Sequence, residues 1–241
     1  MKTNIGLHQC VSFINANLGD APAHSYLGAA RPAAWCLTLS RQSGCNAHGI
    51  AERTAELFQA RAQSATLPWT VFDRNLVEEV LKDHHLPARL REHMPEDRRS
   101  ELEDIMGELF ELHPSAWTMV HQTSDTILRL ADRGRCILIG RAANFVTSKL
   151  AQTLHVRLIG SLTARLERMQ KYDHVSQEEA RKLIRDQDRA RARYVKKYFE
   201  ADIEAPEHYH LVLNVDAFDT DQAAQIITHA LELRMAAAPK V

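Results

Sequence analysis

Residues 40–49 form a short, glycine-bearing segment between an apolar run at 35–40 and an apolar-periodic stretch that begins near Ile50. This order predicts a strand, a loop and a helix, and such a loop presents the backbone N–H groups of a helix N-terminus to a phosphate. The segment consists of Ser40, Arg41, Gln42, Ser43, Gly44, Cys45, Asn46, Ala47, His48 and Gly49. We treat it as a candidate phosphate-binding loop, with an ordinary strand-to-helix turn as the alternative.

The loop departs from the GxxxxGK[ST] pattern of phosphate loops, in which the lysine reaches the transferred phosphate and the hydroxyl binds magnesium. With the loop anchored at Gly44, Ala47 stands near the lysine position and Gly49 near the hydroxyl position, and neither supplies the side-chain function. Arg41 could replace part of the missing charge or pair with an acid elsewhere, and His48 could donate to a phosphate or be solvated. Cys45 would have a lowered pKa at a helix N-terminus, and a small structural residue is the alternative.

A second candidate is the predicted helix at 178–200, which is rich in Arg and Lys. Four of its cations recur at four-residue spacing, namely Arg185, Arg189, Arg193 and Lys197. They fall on one helical face, where like charges repel by about a few tenths of a kcal/mol per pair. A bound phosphate would reverse that repulsion, because Arg makes bidentate bonds to phosphate oxygens. The alternative is a solvated helix in which Asp186 and Asp188 neutralise some of the charge.

Two predicted strands end in charged residues at the edge where open parallel sheets bind ligands. The apolar run 136–140 is followed by Arg141, whose guanidinium could bind the phosphate of an acceptor. The run 69–73 ends in Asp73, and Arg74 comes next. Asp73 is a candidate for substrate binding or for a base toward the attacking oxygen, with a cap on the following helix as the alternative.

The elements that must position these residues are short apolar runs separated by helical patterns. Besides 35–40, the predicted strands are 69–73, 136–140, 154–159 and 209–214. This alternation predicts an α/β fold with parallel strands joined by crossover helices. Residues 76–133 form a long, mostly helical insert, and residues 1–34 are expected to form a helix and a linker ahead of one domain at 35–241.

In this order along the chain, the segments resemble the cytidylate kinase-like family, a divergent branch of the nucleoside monophosphate kinases, over residues 35–233. The matching motifs are LSRQSG at 39–44, GIA at 49–51, FDR at 72–74, IGRAAN at 139–144, HVRL at 155–158, DRAR at 188–191 and YHLVLN at 209–214. The resemblance implies a three-layer fold of the P-loop NTPase type, with a five-stranded parallel sheet, a helical insert on the substrate side and a short helical lid. It also implies phosphoryl transfer from a nucleoside triphosphate, with ATP and Mg²⁺ as cofactors.

The family's functional residues carry over onto matching positions of this sequence. In the lid the matches are Arg185, Asp186, Asp188, Arg189 and Arg193. The resemblance also implies substrate contacts for Asp73, Arg74 and Asn144. The missing Walker lysine is typical of this branch, whereas Asn46 and Ala47 stand where glycine is usual and Ala142 stands where true cytidylate kinases have Asp.

Composition limits the classes of partner. A net charge of −1 gives no global field for nucleic acid or an anionic membrane, so an anion site has to be a local cluster of Lys and Arg. The 13 histidines lack ligand spacing with Cys or carboxylates, so no metal site is expected. Four widely spaced cysteines, no signal-peptide core and no apolar run of membrane-spanning length predict a cytoplasmic protein with reduced thiols.

Together these features favour a phosphotransferase. ATP phosphates would lie on the loop amides, the acceptor phosphate on Arg141, and the basic helix would close to neutralise charge. The partner is then a nucleotide or another phosphorylated small molecule rather than nucleic acid or membrane, and a homodimer is compatible with this interpretation. The alternative from another class is a non-catalytic nucleotide- or phosphate-binding regulatory module. A third interpretation is a nucleic-acid binder, and the single basic stripe of the helix at 178–200 is the only feature that supports it.

Overall fold

The fold is built on a five-stranded sheet in which every neighbouring pair is parallel. The computed structural model describes residues 35–61, 68–73 and 118–238. The strands are β1 Cys36–Arg41, β2 Thr70–Phe72, β3 Cys136–Ile139, β4 Thr153–Ile159 and β5 Leu211–Asn214. Their order across the sheet is β2-β3-β1-β4-β5. The predicted α/β class with five parallel strands is confirmed, since each predicted strand overlaps an observed one.

Helices connect the strands and cover the sheet, as parallel pairing requires. They are α1 Ala47–Arg61, α2 Thr118–Arg133, α3 Ala143–Val146, α4 Leu162–Asp173, α5 Gln177–Phe199 and α6 Thr220–Ala237, with a 3₁₀ turn at Pro206–His208. Local sequence sets where α5 and α6 begin. Ser176 with Glu179, and Asp219 with Gln222, form reciprocal capping boxes that satisfy N–H groups of the first turn.

The main core lies between the sheet and the helices α1 and α6. Leu37 and Leu39 of β1, Ile50 of α1, and Ile227 and Leu231 of α6 are among its buried members. Strand β1 is buried along most of its length because it lies inside the sheet with β3 on one side and β4 on the other. The carboxyl end of β1, where the predicted phosphate loop starts, is therefore rigidly held.

Helix α5 is held near each of its ends by a small apolar cluster. Ile184 packs with Leu166 and Met169 of α4. Farther along, Val195 packs with Ala142 and Phe145, which follow β3. These two contacts lay the middle of α5 along the carboxyl edge of the sheet.

Some predictions fall outside the part of the chain that the structure describes. These are the helix and linker at 1–34, residues 76–117 of the helical insert, and Arg74. The rest of the insert contains α2, and the predicted basic helix at 178–200 corresponds to α5. Within the described ranges, no helix combines the length and the apolar character needed to cross a membrane.

Candidate functional site

A cavity of about 250 Å³ opens between the carboxyl ends of β1 and β3 and the facing side of α5. Its polar lining residues are Thr38, Ser40, Arg41, Arg141, Asn144, Arg191 and Tyr194. Ligands of open parallel sheets bind at this edge. The structure thus brings Ser40, Arg41, Arg141 and Asn144, which come from two separate predicted segments, to one cavity.

The turn after β3 has a backbone that directs two arginines toward this cavity. Gly140, Arg141 and Ala142 have φ values of 77°, 56° and 56°, all in the left-handed region. The φ of Gly140 favours glycine, and a Cβ there would lie 1.9 Å from Nη1 of Arg41, so a larger residue would displace that guanidinium. The close approach places the side chain of Arg41 against the turn that carries Arg141.

The charges around the cavity perturb one another. Burial, and next the positive charge of Arg191, lower the pKa of Arg41 to about 10, while the carboxylate of Asp73 acts in the opposite direction. Burial also lowers the pKa of Arg191. Three guanidinium groups line a single cavity at a cost in desolvation and repulsion, which an anionic ligand would offset.

Asn144 supplies a neutral donor in the same cavity. Its side chain is only 5% exposed, and its Nδ2 has no hydrogen-bond partner within the described part of the chain. A buried amide without an acceptor costs about 1–3 kcal/mol. Asn144 thus keeps an unsatisfied donor beside the cavity that it lines.

Helix α5 contacts the phosphate-loop segment through the carboxylate of Asp188. The backbone N–H of Ser43 donates to Oδ1 of Asp188 at 2.8 Å, and Nη1 of Arg165 donates to Oδ2 at 2.6 Å. Nη1 of Arg191 donates to Oδ1 of Asp188 at 3.1 Å and to Oγ of Ser43 at 2.6 Å. These bonds join the loop, α4 and α5 in one polar cluster, which we call the Asp188 cluster: Ser43, Arg165, Asp188 and Arg191.

Two members of the Asp188 cluster were missed as site residues by sequence reasoning. Arg191 lies in the matched motif at 188–191, but the four-residue spacing of the other arginines drew attention to a different face. The apolar residues Ile184 and Val195 could have located the inner face, because with Asp188 and Arg191 they follow a spacing of four, three and four residues. Arg165, on α4, had no distinguishing signal.

The four-residue stripe lies on the solvated side of α5. Arg185, Arg189 and Arg193 are all exposed and lie outside the lining of the cavity. Arg185 contacts the neighbouring Asp186 at 3.4 Å. The reason is packing, because Ile184 and Val195 are buried and turn the opposite face inward. The structure does not bring these three arginines to the cavity, and their roles in the lid stay predictions.

The loop has the backbone of a glycine-rich turn although it contains little glycine. Gly44 has φ 83°, and a Cβ there would lie 2.6 Å from the carbonyl oxygen of Arg165. Asn46 has φ 51°, a conformation that Asn tolerates better than most residues, and its Nδ2 donates to Oγ1 of Thr220 at 3.0 Å. Gln42 anchors the loop to β4, since its Oε1 accepts the N–H of Gly160 at 3.1 Å.

The predicted departures from a Walker loop have structural counterparts. Ala47 is 8% exposed and belongs to the main core, so this position faces inward. A Cβ on Gly49 would lie 2.8 Å from Nδ2 and 2.9 Å from Oδ1 of Asn46, so the amide of Asn46 fills the space of the missing hydroxyl side chain. The loop therefore does not fit a protein-held magnesium ion of the Walker kind. Among the described residues, no group of three or more His, Cys, Asp or Glu side chains is placed to hold a metal ion.

The remaining candidates have varied surroundings. Cys45 is 1% exposed, and burial raises its pKa to about 11, so the structure favours the small structural residue over a reactive thiolate. His48 is exposed, and its Nε2 lies 3.2 Å from a carboxylate oxygen of Glu52. Asp73 is half-buried at the end of β2 and influences the charge state of Arg41 across the sheet edge.

The site and sheet define a nucleotide kinase-like α/β protein, and comparisons with known proteins agree. A model of the cytidylate kinase-like family matches residues 36–217, and the chain belongs to this family. A cytidylate kinase from Methanopyrus kandleri is 26% identical over 172 residues, which cover 68% of this chain and 86% of that protein. The crystal structure of an uncharacterized protein from Eubacterium ventriosum is similar with a TM-score of 0.64 and 18% identity, covering 83% of this chain and 98% of that one. The last likeness shows the fold alone.

Proposed function

We propose that this protein is a phosphotransferase that moves a phosphoryl group from ATP to a phosphorylated small acceptor, with a nucleoside monophosphate as the first candidate. The observation that carries the proposal is the cavity itself. Arg41, Arg141 and Arg191 line it together with the unpartnered amide of Asn144, next to a loop with the position and turn of a phosphate loop. Such a set of donors suits an acceptor that carries an ionised phosphate.

Each residue has a role that follows from its place. Arg141 binds the acceptor phosphate, whose oxygen attacks the γ-phosphorus of ATP while the bond to the β–γ bridging oxygen breaks and ADP leaves. The loop at 40–49 binds the phosphates of ATP, and Arg191, which contacts both loop and cavity, neutralises charge between the two substrates. Catalysis thus depends on positioning and electrostatics. Asp73 is the candidate base, or it accepts a hydrogen bond from a substrate hydroxyl group.

The loop does not supply the usual protein ligand of magnesium. The position of the Walker hydroxyl is Gly49, and the amide of Asn46 occupies the space beside it. The proposal therefore routes no step through a protein-bound metal. The assay nevertheless includes Mg²⁺ as the usual counterion of ATP, and the name of the relative from Methanopyrus kandleri makes cytidylate the first acceptor to test.

The same observation favours a second candidate, a non-catalytic nucleotide- or phosphate-binding module. Ala47 is buried where a lysine would reach the transferred phosphate, so the strongest single electrostatic contribution of a Walker loop is missing. A protein of this kind would bind a phosphate ligand at the same donors without turning it over.

The deciding experiment measures ADP formation from ATP with and without Mg²⁺ against a panel of nucleoside monophosphates. The variants are Arg141→Ala and, as a matched control, Arg181→Ala, since Arg181 is exposed on α5 and does not line the cavity. Turnover with one acceptor that falls by about a hundredfold in Arg141→Ala and persists in Arg181→Ala supports the kinase. Saturable ATP binding without any turnover contradicts it and supports the binding module.

A further inference from the structure

The Asp188 carboxylate accepts hydrogen bonds from the candidate phosphate loop and from two arginines. It accepts the backbone N–H of Ser43 at 2.8 Å, a guanidinium N–H of Arg165 at 2.6 Å and one of Arg191 at 3.1 Å. A backbone donor of the loop and two arginines are the groups that hold phosphate oxygens in proteins. Here they converge on a side chain of the same molecule.

We propose that Ser43, Arg165 and Arg191 form a phosphate subsite that the protein fills with its own Asp188, and that a phosphate group of the nucleotide binds by displacing this carboxylate. The inference rests on the proposed function, because it concerns how the same loop takes its ligand. It assigns Arg165 to ligand binding and gives helix α5 an autoinhibitory contact.

The single negative charge of Asp188 balances only one of the two guanidinium groups that contact it. Two guanidinium groups surround a single negative charge, and the side chain of Arg165 is only 11% exposed. Its Nε is buried and has no hydrogen-bond partner within the described ranges. A phosphate group offers more oxygens and up to two negative charges, so it can satisfy a donor that the carboxylate leaves unused.

The cluster is arranged so that the carboxylate can leave while the loop stays. Gln42 fixes the loop to β4 through two hydrogen bonds, and Cys45 and Ala47 are part of the main core. By contrast, Asp188 keeps 27% of its side-chain surface exposed, and the outer side of α5 is solvated. Release of Asp188 therefore requires a movement of α5 or of the side chain alone, and no unfolding of the loop.

A self-filled subsite lowers the apparent affinity for phosphate by the fraction of molecules in which the subsite is open. Removing the charge of Asp188 while keeping its shape should therefore tighten binding. A carboxylate that served only to position Arg165 and Arg191 would have the opposite effect, since its loss would disorder the two arginines. The sign of the change thus separates the two roles.

The test is calorimetric titration of the full chain with inorganic phosphate and with ATP. The variant is Asp188→Asn, and the matched control is Glu178→Gln, which removes one negative charge from an exposed position of α5. We expect both anions to bind at least about tenfold more tightly to Asp188→Asn than to wild type, and Glu178→Gln to match wild type. Equal or weaker binding to Asp188→Asn overturns the inference.

A second measurement uses the wild-type chain, so it does not depend on how the variant folds. On addition of ATP, hydrogen–deuterium exchange should fall in the loop at 41–47 and rise around residues 183–195 of α5. A fall in both segments means that α5 closes with Asp188 in place, and that result overturns the inference. Turnover of the wild-type protein is measured in parallel. If the wild type is active but Asp188→Asn does not bind phosphate more tightly, only this inference is refuted. If Asp188→Asn binds more tightly but the wild type shows no turnover, this inference is supported and the proposed kinase activity is refuted.

Discussion

The two faces of helix α5 contain similar residues and meet different surroundings. On the inner face, Arg191 contacts Asp188 and Ser43 and lines the cavity. On the outer face, Arg189 and Arg193 are exposed to solvent. Because an ionic contact gains little in water and much more when it is partly desolvated, equal charges on the two faces have unequal consequences. Neighbouring surfaces, and not residue type, decide which arginines belong to the site.

The largest expected difference between the faces is in catalysis. Arg191→Ala should reduce the turnover number of the proposed phosphoryl transfer by about a hundredfold or more, because it removes a preorganised charge beside the transferred group. Arg189→Ala should keep a turnover number within about threefold of wild type, because the side chain of Arg189 is exposed and does not line the cavity. Steady-state ADP formation at saturating substrates measures both. Equal losses in the two variants would refute the division between inner and outer face.

The next expected difference is in stability. Ile184 is 3% exposed in the contact between α5 and α4, whereas its neighbour Leu183 is 37% exposed. Ile184→Ala should lower the free energy of unfolding by about 2–5 kcal/mol, since it leaves a cavity. Leu183→Ala should cost less than about 1 kcal/mol, and urea denaturation followed by circular dichroism compares the pair. If Leu183→Ala were the more damaging change, the assignment of the inner face would be wrong.

The same contrast between packed and solvated groups extends to two histidines. His155 stacks on His210 with ring centroids 4.7 Å apart and pairs with Thr38, and burial first and the neighbouring His210 second lower its pKa to about 3. The unfolded chain, with a histidine pKa near ~6.5, binds the proton more readily, so stability is greatest above that pH and falls toward pH 3.

Because of this difference, the free energy of unfolding should fall by roughly 2 kcal/mol as the pH is lowered from about 6.5 to 5. Urea denaturation at several pH values measures the slope, and His155→Gln should flatten it. His229→Gln should leave the slope as in wild type, because His229 is solvated, with 71% of its side chain exposed. An unchanged slope in His155→Gln would show that the stacked histidine is not its source.

The smallest expected effect concerns the outer stripe itself. Replacing Arg189 by Gln removes like-charge repulsion from Arg185 and Arg193, so stability should rise by about 0.3 kcal/mol at low ionic strength. The gain should vanish at about 1 M salt, where the screening length is about 3 Å. A loss of stability at low salt would mean that Arg189 has a stabilising partner.

The class of fold and the positions of its five strands could be predicted from the chain. Short apolar runs such as 136–140 and 154–159 are long enough only for buried strands, and the helical patterns between them require parallel pairing. The order of strands across the sheet was not predicted, because it depends on long-range pairing that leaves little local signal. The β1 residue Ser40, for example, is opposite Arg157 only in the folded sheet.

The candidate site was predictable in part, and for a definable reason. Arg41 and Arg141 were identified because they follow predicted strands, and the carboxyl ends of parallel strands share one edge, whereas Asn144 was identified from the resemblance to the family. Arg191 of α5 and Arg165 of α4 were not identified, because the positions of polar residues along a helix do not by themselves indicate which face packs against the rest of the protein. Only the apolar residues at 184 and 195 indicate which face turns inward.

The sequence by itself determined the class of fold, the family, and the loss of the Walker lysine and hydroxyl, because these depend on residue type and on spacing along one segment. The tertiary structure alone decided which charges meet. Arg165, Asp188 and Ser43 are at least 23 positions apart in the chain, and yet their polar atoms lie within hydrogen-bonding distance. Such contacts arise when packing brings α4 and α5 to the end of β1, and electrostatic energy depends on that distance and on burial rather than on order in the chain.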